Sequence, residues 1–117
     1  MDHYAELVAL LLPEGLLGYF DITGVNMAAD GKVHIFLEEK NDPPSEFKDQ
    51  LLHSKGFYPE VEVQDFPVRG KKLYLHIKRR RWEVPSNGNI VSRDWRLVQS
   101  GTRMTAEFAA FLKGIFG

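Results

Sequence analysis

The chain has no cysteine among its 117 residues, which excludes a disulfide framework and any thiolate metal site and fits a reducing, cytoplasmic setting. Its four histidines, His3, His34, His53 and His76, are scattered. No two of them have the i, i+4 or short-loop spacing of a metal site, so they read as surface or core histidines with satisfied nitrogens, and neither metal nor cofactor is expected. The leading apolar run, Leu7 to Leu12, is too short to span a bilayer and follows Asp2 and Glu6, so it predicts neither a membrane segment nor a signal peptide. There is no glycine-rich phosphate loop and no nucleophile elbow, and an enzyme acting alone is not expected.

Charge is plentiful but unevenly placed. Residues 68–103 hold ten of the fifteen Lys and Arg against two acids, Glu83 and Asp94, whereas residues 1–67 hold four Lys against thirteen acids. The net charge of −1 therefore conceals a strong dipole along the chain. A basic block with Tyr74, Trp82 and Trp95 set within it is the electrostatic footprint of a phosphate-backbone binder. The densest part is Lys78-Arg79-Arg80-Arg81-Trp82, where guanidinium forks match phosphate geometry and the indole can stack on a base or pack under an arginine. The same run is also compatible with a solvated strand edge, or with neutralisation by the acidic half.

The periodicity predicts a single α+β domain over 1–117, a mostly antiparallel sheet flanked by N- and C-terminal helices. Tyr4, Leu7, Val8 and Leu11 recur at helical spacing from Asp2 to Leu12, and Pro13 and Gly15 end that helix. Leu16 to Val25 and Lys32 to Glu39 read as an antiparallel hairpin turning at Asp30-Gly31. After the two prolines Pro43 and Pro44, Ser45 caps a predicted short helix through His53, stopped at Gly56. Phe57 to Phe66 alternates as a half-buried strand, Arg69-Gly70 turns the chain, and Lys72 to Trp82 runs back with Leu73, Leu75 and Ile77 on one face. That core-facing row runs into Arg79 and Arg81, which marks where the strand leaves the sheet. Ser86 to Asn89 is a turn, and Ile90 to Val98 returns antiparallel. Thr102 or Thr105 caps a last helix whose stripe is Met104, Phe108, Phe111, Leu112 and Ile115.

Two stretches, VQDFPVRGKKLYLHIKRRRW (63–82) and SRDWRLVQSGTRMTAEFAAFLKGIF (92–116), carry a family likeness. They resemble the N-terminal region of bacterial insertion-sequence transposases, in the group where a zinc-ribbon-like segment precedes a DDE-type catalytic domain. The resemblance divides the chain into a variable front (1–60), a basic strand region (61–98) and a C-terminal helix (102–116). It departs from the family at two places: the cysteine pairs of the ribbon are replaced here by NDPPSEF and EVPSNGN, so the metal is expected to be lost. The 117 residues also leave no room for a catalytic domain, and catalysis is expected from a separate DDE polypeptide.

The resemblance implies a non-catalytic protein of DNA transposition that binds double-stranded transposon-end DNA beside that catalytic chain, with homodimerisation left open. Lys78, Arg79, Arg80 and Arg81 are the expected main phosphate contacts. Arg69, Lys71, Lys72, Arg93 and Arg96 are secondary ones, and Trp82 is a positioning or stacking residue. The alternative is a protein-protein interaction module in which Phe108, Phe111, Leu112 and Ile115 dock the catalytic chain without direct DNA contact.

Overall fold

The computed structural model describes residues 3–95 together with 111, 113 and 114. A short helix, α1 (His3–Ala9), leads into seven strands: β1 (Phe20–Met27), β2 (Val33–Glu39), β3 (His53–Phe57), β4 (Val61–Val68), β5 (Lys71–Lys78), β6 (Arg80–Glu83) and β7 (Ile90–Val91). Four of them form one sheet in the order β1-β2-β5-β4, and three form a second in the order β3-β6-β7. The mostly antiparallel expectation holds for four of the five pairings, but the centre of the larger sheet is parallel, with β2 beside β5 from Val33↔Leu73 to Glu38↔Lys78.

The two hairpins have turns of the expected kind. Gly31 adopts φ 83°, and the second turn places both Arg69 (φ 54°) and Gly70 (φ 81°) in the left-handed region, the geometry that matches the twist of a two-residue hairpin. Glycine takes that conformation freely, whereas an arginine holds it at a cost of about 1–2 kcal/mol.

Alternation along β2 and β5 sends Ile35, Leu37, Leu73, Leu75 and Ile77 to one face, all 1% exposed or less. Leu12, Leu16, Phe20, Trp95 and Phe111 close over that face as one cluster. Trp95 seals it by stacking on Phe20 and meeting Tyr19 edge-on, each at 5.4 Å between ring centres.

Three expectations change. The helix predicted from Ser45 to His53 is only a 3-10 turn at Ser45–Phe47, and His53–Phe57 is strand β3 instead. Phe47, Leu51 and Leu52 supply too few apolar positions for a buried stripe, while the backbone of β6 beyond the large sheet takes β3 as its partner; Gly56 (φ 80°) lies at the irregularity in that pairing. The strand predicted to end at Val98 is the two residues of β7 as far as the described residues reach. The first helix ends at Ala9, and Leu10 to Leu12 form tighter turns before Pro13, which has no N–H to continue the ladder. Residues 111, 113 and 114 are helical, and the rest of the expected C-terminal helix lies outside the described residues.

Leu75 is fully buried on a central strand, so Leu75→Ala should lower stability by about 2–5 kcal/mol in urea unfolding. Phe66, 79% exposed, should tolerate the same replacement within about 0.5 kcal/mol.

Candidate nucleic-acid interface

The long basic strand breaks at Arg79. Up to Lys78 it belongs to the four-stranded sheet, and from Arg80 it pairs with β3 and β7. The buried parity shifts at the break, from Leu73, Leu75 and Ile77 to Trp82 and Val84. The core-facing row thus ends in charge where the strand changes sheets.

At that seam lies a buried carboxylate. Glu39, 1% exposed, closes the alternating row Ile35, Leu37, Glu39. Its Oε1 accepts the backbone N–H of Arg80 at 3.0 Å and its Oε2 accepts Nε–H of Arg93 at 2.9 Å, while its backbone carbonyl accepts Nε–H of Arg80 at 3.0 Å. Arg93 also donates to the carbonyl of Asp42 and lies near the rings of Tyr19, Trp82 and Trp95. Burial raises the Glu39 carboxyl above its ordinary value, and the Arg80 N–H and Arg93 guanidinium oppose that rise.

The residues expected to contact DNA therefore divide into groups. Arg80 is half-buried, bonded to Glu39 and Ser54 Oγ with its guanidinium 4.5 Å from the centre of the Phe57 ring. Arg79 and Arg81 both lie over Tyr58, at 5.1 and 5.6 Å. Their opposite disposition to Arg80 follows the alternation of the strand. Trp82 is fully buried, donating Nε1–H to Asn41 Oδ1 at 3.0 Å, so the expected stacking role gives way to a structural one: no face of the indole is open to a base. Arg93 is committed to Glu39, and Lys78 sits 3.9 Å from Glu38 Oε2. Arg69, Lys71 and Lys72 are exposed together at the β4–β5 turn, close in sequence to the exposed Phe66.

Arg96 lies outside the described residues, as do Phe108, Leu112 and Ile115 of the expected docking stripe. Phe111 is buried in the chain's own core rather than presented to a partner. Among the described residues no three His, Cys, Asp or Glu side chains gather as a metal site, and no helix is long and apolar enough to cross a membrane.

Sequence reasoning reads Glu38-Glu39 as a solvated strand edge, which the burial of Glu39 overturns, and it passes over Phe66. It also passed over the contact between His34 and His76, whose Nδ1 and Nε2 lie 2.8 Å apart across β2 and β5. Glu39 had a visible signal, as a carboxylate in the core-facing register of its strand. The histidine pair had none, because it depends on a parallel register between distant segments. Comparison with known proteins adds no assignment: no family model, curated protein or solved structure matches the chain.

Removing Glu39 leaves the enclosed Arg93 charge without its carboxylate, so Glu39→Ala should destabilise the fold by about 3–5 kcal/mol at pH 7. A carboxyl raised in the folded state binds its proton more tightly there than in the unfolded chain. Its contribution is full below the ordinary glutamate value of about 4.3 and is lost as pH rises through the raised value. Urea unfolding across pH 3.5 to 7 should show that falling component in the wild type and its absence in Glu39→Gln.

Proposed function

We propose that the chain is a non-catalytic DNA-binding protein that contacts the phosphate backbone through the β4–β5 hairpin end, in the manner of the transposase N-terminal regions it resembles. On that reading it engages transposon-end duplex beside a separate catalytic chain. The observation that carries the proposal is the exposed group Arg69, Lys71 and Lys72 around a two-residue turn, where cations project from a rigid ribbon of the kind that nucleic-acid readers use. Arg69 adds weight, because a non-glycine residue held at φ 54° where Asn or Gly is the easy choice is the kind of strain that functional positions retain. Phe66 offers an apolar surface beside the charges.

This reading moves the contact surface away from Lys78 to Trp82. Arg80 and Arg93 neutralise and brace the seam, so their loss should unfold the protein before it alters DNA contact.

A second reading, the interaction module, draws on the exposed leucines Leu7, Leu10 and Leu11 of the first helix and the turn after it, which are 61%, 81% and 42% exposed. It places the catalytic chain, not DNA, on this protein.

Fluorescence anisotropy with labelled transposon-end and random duplexes at several salt concentrations separates the two. Three phosphate contacts predict a slope of log K against log salt of about −2.7, with Lys71→Ala and Lys72→Ala each flattening it by about 0.9 on both duplexes. No binding at low salt, alone or with the catalytic chain, would discard the DNA reading in favour of the interaction module.

A further inference from the structure

The outward face of the four-stranded sheet carries an ordered set of polar side chains, of which the proposed hairpin contact uses only Lys72. Register sets His34 beside Tyr74 and then Phe36 beside His76; Lys72 precedes Tyr74 by two residues on β5, and Lys32 reaches the Tyr74 ring. His76, 8% exposed, faces Glu60 Oε2 with Nδ1 at 3.0 Å and His34 Nδ1 with Nε2 at 2.8 Å. Phe36 stacks on His76 at 4.4 Å and Tyr74 stacks on His34 at 5.4 Å, so both imidazoles are held in their planes.

Hydrogen-bond bookkeeping assigns the protons. An ionised Glu60 can only accept, so His76 Nδ1 carries its hydrogen. In a neutral His76 the Nε2 is then a lone pair, and His34 must donate from Nδ1. The remaining nitrogen, His34 Nε2, is left as a base without a hydrogen-bond partner among the described residues. A proton arriving from solvent adds there and leaves both relay bonds intact, giving one imidazolium balanced by one carboxylate. Charging the second imidazole as well would set two N–H groups against each other at 2.8 Å, so the pair takes up one proton while the bond holds.

We propose that His34, charged through the Glu60–His76–His34 relay, is a proton-dependent anion contact completing a phosphate-binding site with Lys32 and Lys72 on the outward sheet face. The identification of the anion as nucleic-acid phosphate rests on the DNA reading above. Lys32 Nζ lies 5.9 Å from the centre of the Tyr74 ring, the ring on which His34 stacks. Asp30 in the β1–β2 turn pairs with Lys32 at 3.5 Å, and Glu62 on β4 is 3.9 Å from His76 Nδ1. Glu38 on β2 and Lys78 on β5 face each other at the far end. On β1, Asn26 and Gly24 oppose His34 and Phe36 and do not titrate, and Asp21 is taken by Lys40 at 2.6 Å.

The test uses the full chain. Duplex binding is measured at pH 8 and pH 6 over a range of salt, histidine ring signals are followed by NMR through the same pH range, and inorganic tripolyphosphate is the small-anion probe. In the wild type, affinity should rise at pH 6 and the salt slope should steepen by about 0.9. His34→Gln should lack the steepening between pH 8 and pH 6, and Glu60→Gln should move the rise to lower pH. His34 and His76 signals should shift with one common midpoint, and tripolyphosphate should perturb His34 at pH 6 and not at pH 8. A steepening retained in His34→Gln, or separate midpoints for the two rings, would overturn the proposal. If no duplex binds at either pH but tripolyphosphate still perturbs His34 at pH 6, the DNA reading fails and the anion site stands. If both probes fail, the site falls as well.

Discussion

The structure depends on one enclosed charge. Glu39 sits where the second strand ends, the basic strand changes sheets and the chain passes through Arg93, and its two oxygens hold the last two of these together. Taking a carboxylate out of water is costly, and a backbone N–H and a guanidinium fixed at hydrogen-bond distance offset part of that cost. That requirement is also what gives the seam its geometry. Arg80 cannot slide along the strand without giving up both of its bonds to Glu39. Arg93 is kept near Trp82 and Trp95, two buried indoles of which Trp95 belongs to the core over the larger sheet.

The dipole along the chain thereby resolves into charges with different work to do. Arg80 and Arg93 serve the interior. Arg79 and Arg81 lie over the Tyr58 ring, where a planar guanidinium gains dispersion and cation–π attraction. The cations farthest from this scaffold, Arg69, Lys71 and Lys72, sit on a hairpin whose geometry is set by two successive left-handed residues. A dense basic run in a sequence thus need not mark the exposed basic surface, because an arginine flanked by aromatics and facing a buried acid is structural cement.

Much of the larger sheet was legible in the residues. The Asp30-Gly31 and Arg69-Gly70 turns were readable because φ > 0 chemistry is local, and the Leu73, Leu75, Ile77 row because a period of two is local as well. The helix read over Ser45 to His53 failed because weak propensity lost to a tertiary demand, the unpaired backbone of β6. The candidate site was less legible. Sequence marks where positive charge is, but whether an arginine faces solvent or a carboxylate forty residues away is decided by the register of a parallel pair, and local pattern carries no information on that register.

The parallel pair has a further consequence, for the order in which the chain folds. The β1–β2 and β4–β5 ribbons each close through a short turn, whereas Val33 and Leu73 must meet across forty residues of chain. Loop-closure entropy makes that encounter the slow one, and the hairpins are nearly assembled before the seam between them joins. Leu37 and Ile77 then report on the late event and the turn residues on the early one, a distinction that φ-values read directly. Until the seam closes, Glu39 remains hydrated, and the same encounter that joins the hairpins brings it to Arg80.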